Sequence, residues 1–322
     1  MRRGSPVLWP FAALVAVLVF NLLYTPGFFT VEILDGRLYG SLVDVLNRAV
    51  PVLLLALGMT LVIGTGGIDL SVGAVMAVAG SVAAVLIVRP DGVTLPAIVG
   101  LALAAALVCG LFNGFLVAWV GIQPIVATLL LMVAGRGVAQ LLTNGQIVTF
   151  QHNGFAELGS GATAGIPNPI WLFAGALAIV AALARGTAFG SFVEAVGSNP
   201  TASRLSGLDA RTVKLAVYAI CGVCAGLAGI IGAADIRAAD ANNAGLYLEL
   251  DAILAVSVGG TALAGGRFTL AGTVVGAVLM QALTTTILTR GVTPEATLVL
   301  KAVVVVAVCL LQSQRWMRRA VA

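Results

Sequence analysis

The stretch Gly66-Gly67-Ile68-Asp69-Leu70-Ser71-Val72-Gly73 stands where one long apolar run, 49–65, gives way to another, 70–88. Its paired glycines permit a tight reversal, and Asp69 or Ser71 can cap the helix that follows by accepting its free N–H groups. Two apolar runs joined through so short a polar turn read as a chain that crosses lipid and comes straight back.

The rest of the sequence repeats that pattern. Further apolar runs fall at 7–24, 95–119, 122–143, 168–185, 213–233, 250–264, 268–290 and 294–313; the run at 250–264 is short and glycine-rich, as a broken or partial span would be. Composition agrees: of 322 residues 60% are hydrophobic and 9% are charged, and the mean hydropathy is +1.09. Soluble domains carry about 25% charged residues, and disorder requires low hydrophobicity, so both are excluded. The expected fold is all-α, a polytopic integral membrane protein of about ten transmembrane helices. The Gly-Gly segments at 66–67 and 259–260 look alike locally, without amounting to an internal duplication.

Charge sets the expected orientation. With the N-terminus in the cytoplasm, ten basic residues fall inside (Arg2, Arg3, Arg185, Arg204, Arg211, Lys214, Arg267, Arg315, Arg318 and Arg319) and five outside. That satisfies the positive-inside rule with both termini cytoplasmic. Met1-Arg2-Arg3 before an apolar run resembles a signal peptide, but no small-x-small site follows, and the run reads as an uncleaved first span. The basic residues are spread along the chain and form no patch for nucleic acid; lipid is the expected surrounding.

Enzyme chemistry is not visible. Both lysines, Lys214 and Lys301, lack the preceding glycine of a phosphate-cradling loop. Leu205-Ser206-Gly207 is followed by Leu208, which breaks any likeness to an ATPase signature. The sole histidine, His152, lies in a loop, and Cys221-x-x-Cys224 sits mid-span with no companion ligand, so neither zinc nor a catalytic cluster is supported. No cofactor is expected.

Three further segments carry information. Glu194-Ala195-Val196-Gly197-Ser198-Asn199-Pro200 reads as a short helix, a break, and a return to the membrane, within the polar stretch 186–212. Leu248-Glu249-Leu250-Asp251 places two acids at the outer mouth of the eighth run, where acids suit a helix's first turn. Arg136-Gly137-Val138-Ala139-Gln140 puts a cation about 12 Å inside its span, either snorkelling or facing a polar path. Polar groups that can line such a path are Asn113, Gln123, Thr128, Arg136, Gln140 and Gln281, although polar side chains also glue helices together.

Taken together, Gly66–Gly73, the Ala195-Val196-Gly197-x-Asn199-Pro200 stretch and Glu249-Leu250-Asp251-Ala252-Ile253 with its trailing glycine pairs resemble the permease subunits of bacterial ABC sugar importers of the ribose type. The likeness covers about residues 45–313 and is stronger still to the galactofuranose-type branch, through Asp35–Gly40, Gly135–Gln140, Gly145–Phe150 and Ala234–Leu246. Arg267-Phe268 departs from the broad family, where another glycine is usual. The resemblance implies one permease domain over 1–322 in the bacterial inner membrane, passing a monosaccharide, galactofuranose first. It implies a cytoplasmic ABC ATPase as motor, a periplasmic sugar-binding protein, and a second related permease in a heterodimer. Residues 186–212 would be the coupling segment, with Glu194–Pro200 seated in the ATPase; Asp69, Ser71, Glu249 and Asp251 would cap or gate helices. An ion-coupled secondary sugar carrier, and an importer of ribose or another monosaccharide, stay open.

Overall fold

The computed structural model describes residues 7–34, 36–90, 92–293, 296–303 and 306. The chain runs α1 (Leu8–Tyr24), a hairpin of β1 (Glu32–Leu34) and β2 (Arg37–Tyr39), α2 (Ser41–Gly64), α3 (Val72–Ile87), α4 (Leu95–Phe115) with a π-helical turn (Leu116–Val120), and α5 (Pro124–Leu142). Then come β3 (Val148–Thr149), α6 (Asn153–Ser160), β4 (Ala162–Thr163), β5 (Ile166–Pro167), α7 (Asn168–Gly186), α8 (Phe189–Ser198), α9 (Pro200–Leu205), α10 (Ala210–Ile236), β6 (Ala238–Ala239), α11 (Leu248–Val258) and α12 (Leu270–Thr289). Residues 296–303 are helical again (α13), and the rest of the tenth apolar run lies largely outside the described residues, as do the terminal arginines used to orient the chain. Among the described residues, six helices are long and apolar enough to cross a membrane: α2, α4 with its π turn, α5, α7, α10 and α12.

Local chemistry sets the helix ends. Prolines open α4, α5, α7 and α9, where a missing N–H costs nothing. Asn199, Asp209 and Thr269 cap α9, α10 and α12 by accepting N–H groups of the first turn. The three strand pairs are short antiparallel pieces, β1 with β2, β4 with β5, and β3 with β6.

Connections gather at two ends. At one, Leu38 donates its N–H to Gly165 O (2.9 Å), Phe150 to Arg237 O (3.1 Å), and Arg290 reaches Tyr24 O. At the other, Gly266 donates to Gly64 O (3.0 Å) beside α8. These are called the hairpin end and the α8 end.

α10 is the axis of the bundle. Lipid is as apolar as leucine, so helices gain little by hiding apolar surface from it and associate through close packing and polar contacts. Gly222 and Gly226 admit α4 at Ala106 and Gly110, and Gly229 admits α3 at Met76. A Cβ on any of the three would press into its neighbour. Hydroxyl and amide contacts add glue: Thr60 of α2 bonds Thr273 of α12 at 2.7 Å, and Asn21 of α1 donates to Thr286 of α12 at 2.7 Å.

The path repeats itself in reverse. α2 runs from the hairpin end to the α8 end, breaks at 65–71, and the shorter α3 begins midway along α10 and returns to the hairpin end, where Ile87 packs near Phe155. α10 runs the opposite way, breaks at 237–247, and the short α11 begins beside the start of α3, at Gly73 against Gly245, before heading to the α8 end. α4 and α12 then follow in opposite directions. The sequence shows no duplication because the look-alike glycine segments, 66–67 and 259–260, stand at non-matching points of that path. The true counterparts, 65–71 and 237–247, share a path and no pattern.

Candidate functional site: two helix breaks and a glycine joint

The first break is sealed. Asp69 is 2% exposed. Its Oδ1 accepts from the Ser71 N–H (2.9 Å), the Ser71 hydroxyl (2.6 Å) and Asn113 Nδ2 of α4 (3.3 Å), and Asn113 also donates to Ser71 Oγ (2.8 Å). Ser71 occupies the N-cap position of α3, but its side chain caps nothing; Asp69 satisfies the Ser71 N–H just ahead of the helix. Gly67 fits because the Tyr218 hydroxyl stands 2.7 Å from where a Cβ would be. Asn113, read from sequence as a path residue, is fully buried in this knot, and Thr128 bonds Pro124 O of its own helix at 2.9 Å while reaching towards Ile68 O (3.4 Å).

The second break is open. Asp240 accepts from Asn242 N (3.0 Å), Asn243 N (3.2 Å) and Asn243 Nδ2 (2.8 Å), which folds the strand end back on itself. Arg136 of α5 donates to Ala241 O (3.0 Å) and Ala244 O (2.6 Å), and Gln140, one turn on, donates to Asn242 Oδ1 (2.7 Å). Arg136 therefore does not snorkel; it holds the break. Tyr247, the residue ahead of α11, has a left-handed backbone (φ 64°) and is 55% exposed.

Glu249 and Asp251 do lie in the first turn of α11. They are not at an outer mouth, as the sequence suggests. The break carries the chain back to mid-bundle first, and the Glu249 carboxylate ends against α3, 2.6 Å from where a Cβ of Gly73 would stand. Asp251 faces the other way and is paired with Lys301 of α13 at 3.0 Å. Gln123 is exposed at the start of α5, and Gln281 is half-buried on α12 with Thr285 as its partner at 3.4 Å.

The third feature is a joint at the α8 end. α8 buries Val193 and Val196, half-buries Glu194 and Ala195, and leaves Ser198, Asn199 and Pro200 exposed. Gly197 meets Gly64 O, the last residue of α2, and a Cβ there would also lie 2.6 Å from Gly266 N in the α11–α12 connection. Gly265 in turn lies against Gly66. Three backbones thus touch with no side chain between them, and sequence alone could not find the meeting because its glycines are far apart in the chain. Nearby, outside the spans, the Thr212 hydroxyl and the Arg211 N–H hold the Asp209 carboxyl below its ordinary range.

The chain thus combines two helix breaks inside the bundle with a short helix, α8, seated on glycine backbone. Residues 41–309 match the family described as branched-chain amino acid transport system / permease component, and the chain belongs to that family. It is a multi-pass membrane permease. It is 53% identical to the galactofuranose transporter permease protein of Escherichia coli (strain K12), over 97% of this chain and 90% of that one. It is 38% identical to the fructose import permease protein of Bifidobacterium longum, over 97% and 89%, and 36% identical to the ribose import permease protein of Escherichia coli (strain K12), over 94% and 92%. No solved structure matches the chain.

Proposed function

We propose that this chain is the permease subunit of an ATP-driven monosaccharide importer of the bacterial inner membrane, and that galactofuranose is its sugar. The family description speaks of branched-chain amino acids, but the relatives that match along nearly the whole chain are named for sugars, which favours a sugar. In this reading the chain makes about ten crossings with both termini cytoplasmic, and 1–322 forms one permease domain. The α8 end faces the cytoplasm and the hairpin end the periplasm. A sugar-binding protein docks on the hairpin end, over 144–167. A second, related permease completes the path, lined in part by Gln123, Arg136, Gln140 and Gln281. ATP hydrolysis belongs to a separate cytoplasmic subunit.

The observation that carries this reading is the Gly197 joint. A motor that pushes α8 must move α2 and the α11–α12 connection with it, because backbone presses on backbone and nothing flexible intervenes. The segment Glu194–Pro200 would sit in a cleft of the ATPase, and closure of the ATPase pair would rock the two halves of the bundle as rigid bodies. Asn199, which accepts the N–H groups of Thr201 (3.1 Å) and Ala202 (3.0 Å), stiffens the corner behind it.

The test is Gly197→Leu in the complex reconstituted with ATPase, partner permease and binding protein. Loss of ATP-dependent uptake together with loss of binding-protein-stimulated hydrolysis is expected. Wild-type uptake with wild-type stimulation would remove the joint from the mechanism. An ion-coupled carrier is separated by the same vesicles: it would accumulate sugar from the permease alone under an ion gradient.

A further inference from the structure

Resting on that reading, we propose that Arg136, Gln140, Asn242 and Glu249, with Tyr247 beside them, form a monosaccharide subsite midway along the translocation path. Ionisable side chains at membrane depth are costly and are kept where they serve a ligand or a polar path. Around the start of α11 the chain keeps Arg136, Glu249, Asp251 and Lys301, and they are used in two different ways. Asp251 and Lys301 close on each other at 3.0 Å, so each of these charges already has its counter-charge.

Arg136 and Glu249 do not close. Arg136 bonds Ala244 O, and Glu249 stands against Gly73, which abuts the neighbouring Gly245, yet Glu249 forms no ion pair among the described residues. The Arg136 guanidinium spends Nη1 on two backbone carbonyls, and a guanidinium has further N–H donors to offer. Both residues are half-buried, Asn242 is exposed, and Gln140 joins them through its bond to Asn242.

The chemistry suits a sugar. A ring hydroxyl both donates and accepts, so it needs an acceptor such as the Glu249 carboxylate and donors such as Arg136 and the two amides. Few, separately placed partners bind weakly enough to let the sugar leave. Tyr247 supplies an exposed apolar ring face with a polar tip. A left-handed backbone is where glycine would sit most easily, so an aromatic residue held there is retained for its side chain.

The experiment uses the full complex in proteoliposomes, with labelled ribose, fructose and galactose, whose solutions contain the furanose form, as probes and co-purification of subunits as the check on assembly. Glu249→Gln and Asn242→Ala are expected to change the ratio of uptake rates among the three sugars by about fivefold or more, because each removes a partner for a particular hydroxyl. Wild-type rates and ratios in both assembled variants would overturn the subsite. A fall shared equally by every sugar would overturn it too, since that is the signature of a merely structural role. Should Glu249→Gln fail to assemble, the exposed Asn242 and the half-exposed Gln140→Ala carry the test. Failure of the parent reading looks different: the wild-type complex itself would then show no ATP-dependent uptake of any of the three.

Discussion

The break between α2 and α3 and the break between α10 and α11 do the same topological work and are finished in opposite ways. The first spans 65–71, is enclosed by α4 and α10, and turns its one acid inward onto Ser71 and Asn113. The second spans 237–247, is longer, and is held from outside by Arg136 and Gln140, with exposed Asn242 and Tyr247 on its surface. Non-helical backbone inside a membrane must satisfy its polar groups against protein or line a water-filled route. The first break takes the former solution and the second is built for the latter. On the proposed subsite, the sealed break serves as an anchor and the open one as the part that meets cargo.

If Asp69 anchors, removing it should be the most damaging change in either break. Asp69→Ala strands the Ser71 N–H and the Ser71 hydroxyl in a buried interior, while Asn113 Nδ2 keeps its bond to Ser71 Oγ. Two orphaned donors at about 1–3 kcal/mol each give a loss of about 2–6 kcal/mol. The expected readout is a clearly lowered thermal midpoint and poor yield of the detergent-purified complex, with Asp69→Asn recovering much of it because its amide oxygen still accepts. An equal loss for Ala and Asn would show that the carboxylate's charge, rather than its role as acceptor, holds the anchor.

The Asp251–Lys301 pair sharpens the contrast from the other side. It belongs to the open break's helix but is itself closed, with side-chain exposures of 20% and 11%. Lys301→Met alone leaves Asp251 largely buried and unpaired, at a cost of about 2–3 kcal/mol, somewhat below the range for fully buried pairs. The double variant Asp251→Leu with Lys301→Met is expected to return to within about 1 kcal/mol of wild type, because apolar replacement of both partners removes the stranded charge. Thermal unfolding of the three variants decides it. Additive losses would mean that the two side chains act independently.

Much of this was legible in the residues. Hydropathy located the helices closely: the run read at 168–185 is α7 at Asn168–Gly186, and the short eighth run is the short α11. Asn199-Pro200 declared a helix boundary, and Asn199 caps α9 there. What could not be read was depth. Glu249 and Asp251 follow a polar stretch, and polarity alone suggests a mouth; only the packing of Gly73 on Gly245 reveals that the stretch folds inward. Pairings far apart in sequence were equally hidden. Asn113 with Asp69, Asp251 with Lys301, and Gly197 with Gly64 each join residues whose local context gives no hint of the partner. The repeated path was masked for the same reason: an inverted copy keeps the route of the backbone and is free to lose the residues.

The smallest expected effect divides stability from function most cleanly. Tyr247 holds φ at 64°, where an L-residue with a side chain meets its own carbonyl and glycine does not. Its ring is more than half exposed, so little packing compensates. Tyr247→Gly should therefore stabilise the folded complex, by about 1 kcal/mol less the extra chain entropy that glycine brings to the unfolded state. The net shift in thermal midpoint is expected to be slight and upward. Sugar uptake is expected to fall in the same preparation, since the exposed ring is lost from the open break. A corresponding change in the sealed break would behave otherwise: Gly67→Ala relieves no strain and drives a methyl group onto the Tyr218 hydroxyl, so both stability and transport should drop together. If Tyr247→Gly instead lost stability, its ring would have to be packed against a partner in the assembled transporter, and the surface around it would be an interface rather than a route.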